Sequence, residues 1–307
     1  MTESMTASLS AQRPPATLFV VATPIGNLDD LSARAAQVLR TVTSVAAEDT
    51  RVSRTLLAHL GIRPDIFPAH AHNEVQAAQQ VLGRLQQGMS VALMTDAGTP
   101  AISDPGSRIV AAAHEAGFPV VPIPGASAVV ALLSAAGLEG DGFRFIGFLP
   151  ASAGARRRRL AEFSQDPAVL VLFEAPHRID ATIGALADAF GADRLVVIGR
   201  ELTKRFEEIA RIPLGQAAAW LDGHPDRRRG EFALAIAPAP DRSTDHSGDP
   251  ELVGEAQDPA LVALTDRLLK ALAAELPAAG AARVAAQALG QSRQALYRRL
   301  LEIKGQV

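Results

Sequence analysis

The residues best suited to chemistry lie between Asp96 and Gly106, where the sequence reads DAGTPAISDPG. This segment follows a strand-like run and precedes a helix-like run, and ligands of α/β sheets bind beyond the carboxyl ends of strands. Ala97 and Gly98 would let the backbone approach a ligand closely, and Asp96 could accept hydrogen bonds from hydroxyl or ammonium groups. The pattern predicts a ligand-binding loop; the alternative is an ordinary connection with Asp104 as the helix cap.

Two other loops of small residues follow strand-like runs in the same half of the chain. One is the turn from Thr23 to Leu28, TPIGNL, which does not match the dinucleotide fingerprint GxGxxG. The other, Pro124 to Ser127, enters a helix whose exposed N-terminus could hold a carboxylate. Three such loops at strand ends indicate one shared pocket.

Charged residues also follow strand-like runs. The segment AEDTR brings Glu48, Asp49 and Arg51 to the same sheet edge, unless it is simply a helix start capped by Asp49 or Thr50. In the second half, the segments EAPHR (174–178) and RELTK (200–204) occupy similar positions, where surface salt bridges are the alternative.

Two further patterns have a structural and a functional interpretation. The four arginines 156–159 are typical of a solvated helix face, but they also suit a phosphate-rich partner. His70 and His72 are two residues apart with no third ligand in sight, so we predict no metal site and interpret Asn73 as a helix cap.

Composition narrows the class of protein. A chain of 307 residues with 48% hydrophobic residues suggests about two domains. Without cysteine there are no disulfides or thiolate metal sites, which fits a reducing cytoplasm. The uncharged stretch 116–138 is long enough to span a membrane, but Pro119, Pro122, Pro124 and Gly125 favour a strand, a turn and a helix.

The order of elements predicts an α/β fold. Strand-like and helix-like runs alternate over residues 17–141, which indicates a parallel sheet, with Asp30 as a possible cap of the first helix. Residues 142–238 contain five strand-like runs in less strict alternation, which indicates a mixed sheet in a second domain. We further expect a disordered leader over 1–16, a linker over 239–259 and a small helical tail over 260–307.

The tail resembles a helix-turn-helix. From residue 260 onward it has seven basic and three acidic residues, a local charge of +4 in a chain whose formal charge is −3. That excess favours contact with RNA; a packing or dimerisation module is the alternative.

The motifs TPIGNLDD, AEDTR, HNE, DAGTPAISDPG, GFLP, FEAPHR and RELTK, in this order, resemble the ribosomal RNA branch of the tetrapyrrole methylase superfamily, the class III methyltransferases. The resemblance covers about residues 18–237 and the tail. It implies two α/β domains with S-adenosylmethionine in the cleft between them, and a homodimer, which we expect in the cytoplasm. It also implies the reaction: methylation of the ribose 2′-hydroxyl of a decoding-centre cytidine in 16S rRNA of the small ribosomal subunit.

The resemblance carries over residue by residue. The implied donor pocket consists of Pro24, Ile25, Gly26, Asp96, Ala97, Gly98, Pro100, Ile102, Ala126, Ser127, Phe148, Leu149, Arg200, Glu201 and Leu202. Our candidate catalytic residues on the acceptor side are Glu48, Asp49, Arg51, Glu174, His177 and Lys204. Our candidate RNA-binding residues are Arg156, Arg157, Arg158, Arg159, Arg293, Arg298 and Arg299.

Two other functions remain open at this point. The chain could methylate a small tetrapyrrole, although PIGNLDD stands where true tetrapyrrole methylases have GxGxGD. It could also be a non-enzymatic RNA-binding or assembly factor, against which the intact DAGTP loop argues.

Overall fold

A computed structural model describes residues 15–239, 259–289 and 291–304. The predicted leader and linker lie almost entirely outside these residues. The chain separates into two compact units, residues 1–239 and 240–307.

The first half of the larger unit is built on a parallel five-stranded sheet of order β3-β2-β4-β1-β5, as predicted. Its strands are β1 (Leu18–Val21), β2 (Ser44–Ala47), β3 (Asp65–Pro68), β4 (Val91–Met94) and β5 (Val120–Ile123). Its helices are α1 (Ala33–Thr41), α2 (Thr50–His59), α3 (Glu74–Gln86), α4 (Ser107–Glu115) and α5 (Ala128–Ala136). Every residue of β2 and β4 is buried, because helices cover both faces of a parallel sheet.

Two details differ from the sequence prediction. Strand β3, with the sequence DIFP, was not predicted; it contains a proline and pairs with β2 at the sheet edge, where proline is tolerated. The prediction of Asp30 as the cap of α1 is wrong. Asp30 ends a short 3-10 helix (Leu28–Asp30), and Ser32 caps α1 by accepting a hydrogen bond from Ala35 N at 3.1 Å.

The second half contains the predicted mixed sheet, of order β6-β7-β10-β8-β9. Its strands are β6 (Phe143–Phe148), β7 (Val169–Glu174), β8 (Leu195–Arg200), β9 (Glu208–Pro213) and β10 (Phe232–Ile236). Its helices are α6 (Ala153–Ala161), α7 (Ile179–Phe190) and α8 (Leu214–Asp222). Strand β6 runs parallel to β7, while the other pairs are antiparallel.

The two faces of the second sheet have different partners. On one face, residues such as Leu170 and Leu172 pack against α6, α7 and α8. On the other, Val171 and Val197 pack against Val129 and Leu132 of α5. Because α5 belongs to the first half of the chain, this contact joins the two sheets through a buried apolar layer.

The smaller unit is a three-helix arrangement of α9 (Pro259–Glu275), α10 (Ala278–Leu289) and α11 (Arg293–Ile303). Its core contains Leu269, Leu296 and Leu300 together with three alanines of α10. The helix-turn-helix pattern of the tail is therefore realised by α10 and α11, with α9 packed against both.

The uncharged stretch 116–138 forms β5, a turn and α5, as its proline and glycine residues indicated. Within the described ranges, no helix combines the length and apolar character needed to cross a membrane.

Candidate functional site

A cavity of about 450 Å³ lies where the carboxyl ends of the first sheet meet the second sheet. The first half contributes Ile25, Glu48, Asp96, Ala97, Gly98, Thr99, Ile102, Ser103, Asp104, Ser127, Ala128 and Val129. The second half contributes Phe148, Phe173, Glu174, Ala175, Pro176, Leu202, Glu231, Phe232 and Ala233. Parallel strands bring their carboxyl ends to one edge, so the three loops of small residues meet there.

Short hydrogen bonds join these three loops. Thr23 and Gly98 exchange backbone hydrogen bonds of 2.9 and 3.1 Å. Thr99 Oγ1 donates to the carbonyl of Ala126 at 3.2 Å. Gly98 has a φ of +78°, and a Cβ there would come within 3.3 Å of Ile25 Cγ2. The close approach predicted for a glycine in the DAGTP loop is thus present.

Carboxylates dominate the first side of the cavity, and we call Glu48, Asp96 and Asp104 the acidic wall. Asp96 N donates to Glu48 Oε2 at 3.2 Å, while Asp49 N donates to Asp96 Oδ1 at 3.0 Å. The ends of β2 and β4 therefore hold each other's carboxylates in place.

Burial and mutual repulsion raise the pKa of two carboxyl groups of the acidic wall, those of Glu48 and Asp104. Burial raises the pKa of Glu48, and the charges of Asp104, Asp96 and Asp49 add to this, although the hydrogen bond from Asp96 N opposes it. Burial, with the charge of Asp96, also raises the pKa of Asp104. On the rim, hydrogen bonds from Arg51 lower the pKa of Asp49 to about 2. Negative charge is thus crowded into the cavity.

The helix that follows the loop between Asp96 and Gly106 is not capped by Asp104. Asp104 lines the cavity, and Glu74 of α3 caps α4 instead. Glu74 Oε1 accepts hydrogen bonds from Gly106 N at 2.8 Å and Arg108 N at 3.0 Å. The idea that Asp104 caps the helix is therefore wrong. Ala101 lies at a φ of +66°, a costly conformation for a residue with a side chain.

Aromatic rings lie on the opposite side, and we call Phe148 and Phe173 the aromatic wall. The two rings meet edge to face, with centroids 5.9 Å apart. Phe148 is 56% exposed, whereas Phe232 borders the cavity but is buried in the core under α6, α7 and α8. The aromatic wall thus offers one ring face at the mouth of the cavity.

A strained loop follows β8 beside this wall. Glu201 and Thr203 have φ values of +52° and +64°. Lys204 Nζ bridges Glu201 Oε1 at 2.8 Å and Glu231 Oε2 at 3.0 Å. Burial disfavours the charge of Lys204, but these two hydrogen bonds outweigh it and raise its pKa. Lys204 therefore remains a cation that fastens the loop.

Many of the residues implied for the donor pocket surround this cavity. Eight of them line it directly: Ile25, Asp96, Ala97, Gly98, Ile102, Ser127, Phe148 and Leu202. Seven lie outside its lining: Pro24, Gly26, Pro100, Ala126, Leu149, Arg200 and Glu201. Among these, Leu149 is buried in the core of the second half, and Arg200 is buried with its Nε 3.7 Å from Glu208. Gly26 lies against the loop after β8, where a Cβ would come within 2.3 Å of Lys204 Cγ.

The candidate catalytic residues are scattered more widely. Glu48 and Glu174 line the cavity. Glu174 is fully buried and held by Thr182 Oγ1 at 2.6 Å and Ala175 N at 2.8 Å. Asp49 pairs with Arg51 at 2.7 Å on the rim, where Asp49 also caps α2. The remaining two are Lys204, held in its two ion pairs, and His177, which is exposed and outside the lining.

The candidate RNA-binding arginines also differ in their surroundings. Arg156 is buried under α6, while Arg157 and Arg158 are exposed. Arg159 pairs with Glu162. In the tail, Arg299 pairs with Asp266 at 2.7 Å and with Glu302 at 3.1 Å, while Arg293 and Arg298 are exposed on α11.

Several lining residues were not singled out from the sequence. The main ones are Asp104, Phe173, Glu231 and Phe232. Asp104 lies in the motif that was singled out, and its spacing alone could not show that Glu74 does the capping. Phe232 begins β10, whose place between β7 and β8 depends on pairing distant in sequence.

The described residues contain no group of three or more histidine, aspartate or glutamate side chains arranged to hold a metal ion. His70 and His72 lie edge to face with ring centroids 6.1 Å apart. Asn73 stands at the cap position of α3, but its Oδ1 accepts from His70 N instead of from the helix.

Known proteins resemble this chain over nearly its whole length. Residues 17–218 match the family of Tetrapyrrole (Corrin/Porphyrin) Methylases, and residues 259–304 match the RsmI C-terminal HTH domain. The protein of Pseudomonas aeruginosa named ribosomal RNA small subunit methyltransferase I is 44% identical, over 94% of this chain and 98% of that protein. Its namesake from Mesorhizobium japonicum is 46% identical, over 94% of this chain and 92% of that protein.

Solved structures extend the likeness to the fold. Uroporphyrin-III C-methyltransferase from Thermus thermophilus, in complex with S-adenosylhomocysteine, superposes with a TM-score of 0.50 at 18% identity. The superposition covers 72% of this chain and 96% of that one. Sequence, domain composition and fold agree, and this chain belongs to the ribosomal RNA small subunit methyltransferase I family within the tetrapyrrole methylases.

Proposed function

We propose that this protein transfers a methyl group from S-adenosylmethionine to the ribose 2′-hydroxyl of a cytidine in 16S rRNA of the small ribosomal subunit. The observation that carries the proposal is the cavity at the carboxyl ends of the first sheet, in a chain of this family. Its relatives are named for methylation of small-subunit ribosomal RNA, over nearly their full length.

The residues around the cavity suit the methyl donor. Gly98 and Ala97 leave room for a ligand close to the backbone, and Ile25 and Leu202 offer apolar surface. The acidic wall favours a ligand with positive charge, because crowded carboxylates are relieved by a cation. S-adenosylmethionine, when bound, supplies a methyl group on a cationic sulfur.

We assign the acceptor side to Glu48. A ribose hydroxyl is weakly acidic, so a positioned base promotes its attack. Glu48 lines the cavity, its Oε2 accepts a hydrogen bond from Asp96 N, and burial raises its pKa. A carboxylate with a raised pKa is a stronger base than an ordinary carboxylate.

In this proposal, the other candidate catalytic residues hold parts of the site in place. The Glu174 carboxylate has its hydrogen bonds committed to Thr182 and Ala175, so it fixes the end of β7. Lys204 keeps its proton and fastens the loop after β8. Asp49 and Arg51 form the rim beside Glu48.

The direct test uses labelled S-adenosylmethionine and small subunits isolated from cells that lack the modification. We expect label at one cytidine of 16S rRNA, mapped as a 2′-O-methyl group, and binding of S-adenosylhomocysteine measured by calorimetry. Asp96→Ala should weaken that binding, while the control Asp193→Ala, at an exposed carboxylate outside the cavity lining, should not.

Other results would favour the competing functions. Label on a uroporphyrinogen substrate without label on rRNA would indicate a tetrapyrrole methylase. No binding of S-adenosylhomocysteine would indicate a non-enzymatic RNA-binding protein. The tetrapyrrole function has in its favour the match of residues 17–218 to the broader family and a shared fold at 18% identity, but relatives at 44% and 46% identity are named for small-subunit ribosomal RNA.

The proposal includes the cytoplasmic homodimer implied by the family resemblance. Light scattering should give twice the chain mass of 32.1 kDa. A mass equal to that of one chain would contradict the dimer and leave the proposed reaction untouched.

A further inference from the structure

Phe148 faces the cavity because β6 contains a bulge. Phe145 pairs with Val171, but Gly147 pairs with Leu172, so Ile146 is an extra residue between the two pairs. Gly147 has a φ of +66°, which suits a bulge. The bulge shifts the alternation of side chains by one residue.

The consequence of this shift can be read from the sheet faces. Leu172 and Ile146 face the core under α6, α7 and α8, while Val171 and Phe173 face the opposite side. In a regular strand, Phe148 would share the face of Ile146, because side chains alternate. The bulge places Phe148 beside Phe173 on the cavity side instead, with 56% of its surface exposed.

The position of this ring suits an unstacked base. The loops of small residues that suit the methyl donor lie on the first-half side of the cavity, whereas Phe148 lies on the opposite side with more than half of its surface exposed. Unpaired nucleotides are commonly held by stacking of their bases on aromatic side chains. The adenine of the methyl donor is the competing occupant of this ring, and the affinity for the donor product distinguishes the two.

We infer that Phe148 stacks against the base of the nucleotide to be methylated. The inference rests on the proposed function, and it moves Phe148 from the donor pocket implied by the resemblance to the acceptor side. Bases taken out of a stack are commonly held by aromatic side chains. In this inference, the bulge in β6 positions Phe148 for substrate binding.

The test compares Phe148→Ala with Phe148→Tyr and Phe148→Leu in the full-length protein. We expect Phe148→Ala to lower kcat/KM for small subunits by about tenfold, from the usual strength of base–aromatic stacking. Phe148→Tyr should retain activity and Phe148→Leu should not. The affinity for S-adenosylhomocysteine should stay unchanged in all three.

Phe143→Ala is the matched control, since Phe143 is 54% exposed at the other end of β6 and outside the cavity lining. It should leave kcat/KM for small subunits unchanged.

Several outcomes would overturn the inference. They are full activity of Phe148→Ala or Phe148→Leu, or a loss of S-adenosylhomocysteine affinity that matches the loss in kcat/KM. These results are distinct from failure of the proposed function, in which the wild-type protein itself would not label small subunits.

Discussion

The acidic wall and the aromatic wall of the cavity are built in different ways. Glu48 and Asp96 of the acidic wall lie within two residues of the ends of β2 and β4, in a regular parallel sheet. The aromatic wall depends on irregular backbone, with a bulge in β6 and left-handed residues in the loop after β8.

This difference shows which parts of the site are positioned by the topology of the sheet alone. Any polar residue after a strand of a parallel sheet reaches the same edge, so Glu48 and Asp96 need only the sheet and a few hydrogen bonds, whereas Asp104 lies in the loop that holds the strained residue Ala101. The aromatic wall needs strained residues, which persist only where surrounding structure holds them. We therefore expect substitutions in the acidic wall to affect chemistry, and substitutions near the aromatic wall to affect geometry.

The largest effect should come from Glu48→Gln. It removes the proposed base and keeps the acceptor for Asp96 N, so turnover should fall by about 100-fold or more. Single-turnover methylation of small subunits measures this loss. The affinity for S-adenosylhomocysteine should change much less; an equal fall in both would place Glu48 on the donor side.

The same substitution also gives a prediction about stability. The folded state binds a proton at Glu48 more readily than the unfolded state does, because the pKa is raised on folding. Ionisation of Glu48 therefore costs stability as the pH rises through the range between the unfolded and folded pKa values. Glu48→Gln should raise Tm at pH 7 but not at pH 4. A lower Tm at pH 7 would contradict the repulsion between Glu48 and its neighbouring carboxylates.

The next largest effect should come from Gly26→Ala, which tests how tightly the two sides are joined. A Cβ at Gly26 would lie 2.3 Å from Lys204 Cγ and 3.0 Å from the carbonyl oxygen of Leu202. The loop after β8 must move, and we expect donor affinity to fall by roughly tenfold, the equivalent of overpacking by ~1–3 kcal/mol. Titration with S-adenosylhomocysteine measures the change.

Gly83→Ala is the control for this prediction. Gly83 lies inside α3, where a Cβ would meet no atom within 4 Å. It should stabilise the protein by ~0.5–1 kcal/mol without affecting donor affinity. If Gly26→Ala behaved in the same way, the two sides would not be in the close contact described here.

The contrast between the walls also explains what the sequence could predict. The two sheets, their parallel and mixed character and the loops at the first sheet's edge follow from local patterns in the chain. Strand β3 could not be recognised, because DIFP contains a proline and an aspartate that are tolerated only at a sheet edge.

The missed features of the site share one physical cause, which is contact between residues distant in sequence. Asp104 was taken for a cap because nothing local shows that Glu74 reaches across to α4. Phe232 reaches the cavity through the pairing of β10 with β7 and β8. Gly147 within FRFIGFLP was a local hint of the bulge, since an isolated glycine in a strand often marks one.

A smaller effect is expected from Gly147→Ala, which tests the bulge itself. The φ of +66° costs a residue with a Cβ about 1–2 kcal/mol, although no atom lies within 4 Å of the added carbon. If the strand relaxes towards regular pairing, Phe148 turns away, and kcat/KM for small subunits should fall by several-fold. Gly142→Ala is the matched control, because Gly142 has a φ of +84° and equally open space just before β6. Both variants should lose similar stability in chemical denaturation. An equal loss of activity in both would show that the bulge does not position Phe148 for substrate binding.

The smallest effect should come from His177→Ala, which marks the limit of the site. A histidine beside a strand end is an attractive catalytic candidate, because its ordinary pKa lies close to neutral pH. Yet His177 is exposed in a short 3-10 helix (Pro176–Arg178), and the cavity lining on that side ends at Pro176. Turnover of small subunits should therefore stay within about twofold of wild type, the range expected of a surface substitution away from the site. A loss approaching that of Glu48→Gln would mean that the acceptor side extends beyond the acidic wall, along the end of β7.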